Sequence, residues 1–361
     1  MHRKAHKFVT ITVTNRLLSL ALLISAALLA GCDKPVNQHD YSIFAFGTLI
    51  DISLYDVDKE RAEAAFEQLQ KNFDQYHQDW SPWSNGDLAK LNAQLNKNTA
   101  ISVPQHLMPL IKISMALSQQ SDNYYNPGIG QLINLWQFHK FKDKNIRPPD
   151  QDLIQGLVKN NPQMSDLTFN NNNQLINQNP ALSFNFGAFA KGYAIALEIK
   201  YLKKLGINNA VINAGGDLSV IGQHGDRAWN IGIRHPRNNS ILASIEIKDN
   251  ESVFTSGDYE RFYFHQGKRF HHILNPKTGY PADGAQSVTV LHQDAGLADA
   301  AATAIFVAGS KNWLQIAKNM KIRHVMLVDE NGDIQLTPAL KKRIKFLNIS
   351  PASHIIVSEE L

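Results

Sequence analysis

The segment Ala298-Asp299-Ala300-Ala301-Ala302-Thr303-Ala304 sets one carboxylate and one hydroxyl within a run of small residues. Asp299 and Thr303 are four apart, so they share a helix face, and the alanines let a partner approach the backbone closely. That is half of a site for a hard cation. Magnesium takes few protein oxygens and leaves room for substrate phosphates, which suits a carboxylate, a hydroxyl and a nearby carbonyl. The same residues also suit an N-cap Asp opening an Ala-rich helix, with a Thr one turn on that bonds its own backbone.

Other stretches carry complementary chemistry. Gly187-Ala188-Phe189-Ala190-Lys191-Gly192-Tyr193 leads from an expected strand at 182–186 into a helix reaching about Leu205. Free N–H groups at such a start, with the Lys191 charge, offer an anion site. It is neither a Walker A loop nor a GxGxxG fingerprint, and glycines chosen for helix-strand packing explain it as well. Ala214-Gly215-Gly216-Asp217 closes a buried strand at 210–213 and gives a second place where backbone can lie against a ligand. Residues 79–86 hold Trp80 and Trp83 among turn formers, either a loop plug or a platform for a flat ring. Thr255-Ser256-Gly257-Asp258-Tyr259 places two hydroxyls before a Gly, and His271-His272-Ile273-Leu274-Asn275-Pro276-Lys277-Thr278-Gly279 ends a strand in a Pro-and-Gly turn. On a strand the two histidines point to opposite faces, so at most one of them faces a given site.

The elements that must position these groups mix without a βαβα rhythm. Ile50, Ile52 and Leu54 alternate with polar residues as a half-buried strand; Ala62, Phe66, Leu69 and Phe73 recur at helical spacing. A second amphipathic helix spans 107–117. Tyr124-Tyr125-Asn126-Pro127-Gly128-Ile129-Gly130 is irregular, and Leu132, Leu135 and Trp136 resume a helix. The Asn- and Gln-rich 160–179 reads as a loop and hairpin on the surface. Short strands follow at 229–233, 243–247, 252–255, 261–264, 270–274 and 287–291, and 325–328 closes the sheet. The fold class is therefore α+β rather than doubly wound.

Residues 1–16 carry Arg3, Lys4, Lys7 and Arg16 and no acid, and 17–30 are nearly all apolar before Gly31-Cys32. This is a secretory signal, its apolar run short for a membrane span. Leu29-Ala30-Gly31-Cys32 resembles a bacterial lipobox, which makes Cys32 the lipidated first residue of the mature chain. It is the single cysteine of 361 residues, so no intramolecular disulfide forms. About 330 residues then remain, enough for a sizeable core. The formal charge of +4 sits partly in the signal, so nothing asks for nucleic acid.

In this order the segments resemble the ApbE family, the FAD:protein FMN transferases. The residues that carry the resemblance are Phe46-Gly47-Thr48, Tyr124-Tyr125-Asn126-Pro127, Gly187 to Tyr193, Asn213-Ala214-Gly215-Gly216, Thr255-Ser256-Gly257, His272 to Gly279 and Asp299-Ala300-Ala301-Ala302-Thr303. The resemblance implies that FAD is cleaved at its diphosphate, AMP leaves, and FMN is esterified to a Ser or Thr of a target protein. Carried over by position, Mg²⁺ would be bound by Asp299, Thr303 and the carbonyls of Ala188 and Ala302. FAD would lie against Phe46, Trp83, Tyr124, Tyr125, Asn126, Asn185, Lys191 and Leu274. Some relatives have an acid in place of Ala302 and a hydroxyl in place of Ala188, so this site has fewer charged ligands. His272 is the candidate base, with Asp299 as the rival group that orients the nucleophile.

The implied architecture is two intimately packed lobes with FAD between them. The expected divisions are a signal at 1–31, a lipidated tether at 32–40, an N-terminal lobe at 41–179 and a C-terminal lobe with the metal site at 180–361. The implied setting is the periplasmic side of the inner membrane, held by the lipid. The implied partners are target flavoprotein subunits of membrane redox complexes. Two other functions use the same pocket: a Mg²⁺-dependent FAD pyrophosphatase, and a non-catalytic FAD-binding lipoprotein.

Overall fold

Ile43, Ala45, Ile50, Ile52 and Leu54 are buried, most of them alternating with residues open to solvent. This period of two folds β1 (Gln38–Ala45) onto β2 (Thr48–Tyr55) as an antiparallel hairpin. Its two-residue turn, Phe46-Gly47, has φ of 53° and 76°, the pair of positive values that matches the twist of a tight hairpin. The computed structural model describes residues 37–361 apart from 98, 141–145 and 226. Cys32 and the signal segment lie outside the described residues, and Gln38 to Asp40 of the expected tether already pair with β2.

Helix α1 (Lys59–Asp79) is capped by Asp58, whose side chain accepts the Arg61 N–H at 2.9 Å, and it buries Ala62, Ala65, Phe66, Leu69 and Phe73. Then come α2 (Asp87–Asn92), α3 (Met108–Gln120), α4 (Gly130–Trp136) and α5 (Gln151–Asn160). The hairpin β3 (Leu167–Phe169) and β4 (Leu175–Asn177) precedes α6 (Ala190–Lys204), β5 (Asn209–Ala214) and β6 (Asp217–Ile221). After these run β7 (Trp229–Arg234), β8 (Ile241–Ile247), β9 (Ser252–Gly257), β10 (Phe262–His265), β11 (Lys268–His271) and β12 (Ser287–His292). The long α7 (Ala295–Asn319), β13 (His324–Val328), β14 (Ile334–Leu336), α8 (Pro338–Lys341), β15 (Ile344–Phe346) and β16 (Ile355–Val357) complete the chain.

The described residues form a nine-stranded sheet in the order β1-β2-β5-β6-β9-β12-β13-β14-β16, antiparallel except for β14 with β16. β2 and β5 lie on either side of the expected division at Asn179 and are hydrogen-bonded neighbours, paired from Ile50↔Ala214 to Tyr55↔Asn209. The main core joins α1, α6 and α7 to this sheet through residues such as Phe73, Ile195, Phe306 and Val290. A second apolar cluster, with Val220, Val253 and Met326, is completed by Trp229, Ile245 and others from the three-stranded sheet β15-β8-β7. A third cluster packs Leu132 and Trp136 of α4 with Ile154 of α5 and Phe270 of β11.

Four local expectations are corrected. Residues 182–186 make only an isolated parallel bridge, Ile129 with Ser183, rather than a strand: Ser183 and Asn185 bond the backbone of 127–130, while the Asn92 amide holds Phe184 at both N–H and C=O (2.8 and 2.9 Å). The Asn-rich region does more than decorate the surface, since Met164, Leu167 and Leu175 belong to the main core. The strand expected at 270–274 ends at His271. The sheet also continues past 328 through β14 and β16, and it includes β6, buried along its length, which the pattern reading passed over.

Candidate active site

The ends of these elements surround a cleft of about 1010 Å³. One wall is the hairpin turn at Phe46-Gly47-Thr48, and the Phe46 N–H donates to His77 Nδ1 at 3.1 Å. A non-glycine residue at φ 53° is uncommon, and here it holds the Phe46 side chain at the cleft.

Helix α7 supplies the polar centre. Asp294 caps it, accepting the Leu297 N–H at 3.0 Å, so the cap role is taken and Asp299 sits a turn further in. Asp299 is buried, and its Oδ2 accepts the Gly192 N–H of α6 at 2.9 Å. Gly192 is required there because the helices touch: a Cβ would stand 2.3 Å from the Ala295 carbonyl oxygen. Burial raises the Asp299 pKa, opposed by the Lys191 charge and the Gly192 N–H. Thr303 Oγ1 lies 3.0 Å from Ser256 Oγ of β9, a partner outside its own helix.

Lys191 is ion-paired with Asp217, whose Oδ1 also accepts the Thr255 N–H at 2.7 Å. Burial lowers the Lys191 pKa, with Asp299 acting the other way. His272 follows β11 and faces the cleft, its N–H donating to the Arg261 carbonyl at 3.0 Å. Its ring Nδ1 is buried and has no hydrogen-bond partner among the described residues. Burial, then the charges of Arg261 and His271, push its pKa well below 6.5, so the ring is neutral near pH 7. His271 turns away: its Nε2 bonds the Ala282 carbonyl at 2.8 Å and its ring meets Phe306 edge-on. Only one of the two histidines thus faces the cleft, although the strand ends at His271 and the alternation of a strand is not the cause.

The two tryptophans divide the two roles considered for their loop. Trp80 is buried and stacks on Tyr76 at 4.4 Å between ring centroids, so it is the plug. Trp83 is 46% exposed at the cleft and is held by Asn134 Oδ1 (2.7 Å from its Nε1) and by stacking on His139 at 4.9 Å.

Of the residues singled out beforehand, Phe46, Trp83, Tyr124, Tyr125, Asn126, Asn185, Ala188, Lys191, His272, Leu274, Asp299 and Thr303 all line this cleft. Ala302 does not; it is 1% exposed inside α7. Asn126 and Asn185 organise their own loops, accepting the Gly128 and Gly187 N–H groups at 2.9 Å each. Tyr125 is buried, with its hydroxyl 2.8 Å from Ser114 Oγ. The sequence reading missed Glu260 and Arg261, which also line the cleft; the only signal was their place just after the two-hydroxyl turn.

A hard cation fits what is present. The donors are all oxygens, and Asp299 Oδ1 makes no hydrogen bond among the described residues. Asp79, Asp87 and His106 form a separate, partly exposed group with contacts of 3.6 Å, at the other end of the tryptophan loop.

Comparison with known proteins agrees with this geometry. The ApbE family profile matches residues 46–326. The FAD:protein FMN transferase of Rhodobacter capsulatus is 34% identical over 86% of this chain, which spans 59% of that longer protein. The FAD:protein FMN transferase of Klebsiella pneumoniae is 28% identical over 88% of this chain and 97% of its own length. Among solved structures, the ApbE protein of Thermotoga maritima superposes with a TM-score of 0.77 at 30% identity, covering 85% of this chain and 99% of its own. The flavin transferase ApbE of Vibrio cholerae, at 23% identity, shares the fold with a TM-score of 0.74 over 87% of this chain and all of its own. A cleft bordered by neighbouring strands from both halves of the chain and a profile matched over most of its length lead to one statement: this chain belongs to the ApbE family.

Proposed function

We propose that the chain is a Mg²⁺-dependent FAD:protein FMN transferase. The observation that carries this reading is the meeting of Asp299 and Thr303 with the start of α6 and with His272 in one cleft large enough for a dinucleotide. In the reaction, a Ser or Thr hydroxyl of the acceptor protein attacks the FMN-side phosphorus. The bond from that phosphorus to the bridging oxygen breaks, and AMP leaves with the bridging oxygen.

The neutral His272 ring, which lines the cleft, takes the hydroxyl proton. Asp299, Thr303 and the Ala188 carbonyl are the groups that would hold Mg²⁺, which when bound neutralises diphosphate charge. Lys191, tied to Asp217, fixes the glycine turn rather than swinging freely. Trp83 and Phe46 offer apolar surface to the flat rings. Cys32 is read as the lipid anchor that keeps the enzyme at the periplasmic face of the inner membrane, near flavoprotein subunits of redox complexes. Metabolic labelling with a radioactive fatty acid should then mark the wild type and not Cys32→Ser.

The test is incubation with FAD, Mg²⁺ and an acceptor protein bearing an Asp-x-x-Ser/Thr-x-Ala-Thr segment. Flavin fluorescence on the acceptor band of a denaturing gel is expected; free FMN alone would make the protein a pyrophosphatase, and neither product a carrier. His272→Ala is expected to keep FAD binding and lose most transfer, and near-normal transfer would remove His272 from the mechanism.

A further inference from the structure

We propose that Arg261 is the phosphate-binding cation of the cleft, its guanidinium gripping the diphosphate of the bound nucleotide. This rests on the reading of the cleft as a dinucleotide site, and it was not among the residues that the resemblance suggested. The cations lining the cleft differ in what already engages them. Lys191 is committed to Asp217, Arg234 lies 5.2 Å over the Tyr259 ring, and Lys140 is exposed. Outside the cleft, Arg237 and Arg269 both contact Asp258 (2.6 and 3.5 Å), which anchors the turn preceding Arg261.

Arg261 is half-buried in the wall and has no hydrogen bond, ion pair or ring partner for its guanidinium among the described residues. Glu260 is its near acid, yet the two form no ion pair. A guanidinium taken from water without a counter-charge is costly, and its planar fork of donors matches phosphate oxygens in pairs. Its backbone is fixed on both sides. The Arg261 carbonyl accepts the His272 N–H at 3.0 Å, and Asp258 is gripped by two arginines, so the side chain projects from a rigid base beside the proposed proton acceptor. The arrangement therefore leaves one preorganised cation free for an anion at the place where the diphosphate would be cut.

Wild type, Arg261→Gln and Arg261→Lys are titrated with ADP and with riboflavin in Mg²⁺ buffer, and transfer from FAD is followed in parallel. R261Q is expected to weaken ADP about 10- to 100-fold while riboflavin affinity stays unchanged, and R261K to fall between, keeping charge without the fork. Unchanged ADP affinity in R261Q overturns the proposal, as does a proportional loss of riboflavin in both variants. If wild type transfers no FMN while R261Q still discriminates against ADP, the transferase reading fails and the phosphate grip stands.

Discussion

Gly192→Ala tests the link between helix packing and the polar centre. The added Cβ would lie 2.3 Å from the Ala295 carbonyl oxygen and 2.7 Å from Asp299 Cβ. Both are parts of a packed helix, not tips of flexible side chains, so α6 must retreat from α7 by about 1 Å to restore contact distance. That retreat stretches the 2.9 Å bond from the Gly192 N–H to Asp299 Oδ2 beyond hydrogen-bond range. Overpacking costs about 1–3 kcal/mol, and a hydrogen bond to a charged group about 1.5–3 kcal/mol. Because relieving one strain causes the other loss, the total is about 3 kcal/mol rather than their sum. For a chain of this size that lowers Tm by about 4 °C. A 1 Å misplacement of Asp299 is expected to slow transfer about 100-fold. Differential scanning calorimetry and the acceptor-flavinylation assay read both. Gly156→Ala is the control: it is helical, exposed and has open space at its Cβ, so it should leave Tm unchanged or slightly raised. If G192A matches wild type in Tm and rate, the close approach of the two helices is not what sets Asp299.

Three further outcomes are expected. Asp299→Asn keeps an acceptor for Gly192 but removes the charge, and should lower Mg²⁺-stimulated transfer at least about 100-fold with little change in Tm. His271 is held below its ordinary 6.5 by burial, partly offset by its bond to Ala282, so the unfolded chain binds more protons between the two values. Stability measured by urea unfolding should therefore fall as pH drops below about 6.5, by up to about 1.4 kcal/mol per pH unit from this group, and His271→Gln should flatten that slope. Trp83→Ala removes an exposed ring fixed by Asn134 and His139, and should weaken riboflavin about 2- to 10-fold in a fluorescence titration with ADP unaffected.

Much of the site was legible because chemistry and periodicity coincided on single elements. Asp299 and Thr303 sit on one helix face, and the glycine turn before α6 leads directly to Asp299 through Gly192. What stayed hidden depended on contacts far apart in sequence. Nothing near Phe184 reveals that Asn92 satisfies its backbone in place of a neighbouring strand. Asp294 and Asp299 are equivalent as letters for a cap, and only the start of α7 distinguishes them. Arg261 resembles its neighbours Arg237 and Arg269 until Asp258 is seen to engage those two and not it. Strand β6 escaped notice because Asp217 and Ser219 interrupt its apolar run, although both are buried and hydrogen-bonded: Asp217 to Thr255, Ser219 to Ser252.

The six-rung pairing of β2 with β5 constrains how any guest gets in. Thr48, at the start of β2, and Ala214, at the end of β5, both border the cleft, so the strands that carry these two borders are stitched together by a single ladder. Spreading them would mean unzipping that ladder, one strand in from the β1 edge of the sheet. The segment from Trp80 to Trp83 also borders the cleft, and the side chains of Asn134 and His139 hold its Trp83 end. The spacing of these two borders is thereby set by the sheet itself and holds for as long as the ladder does.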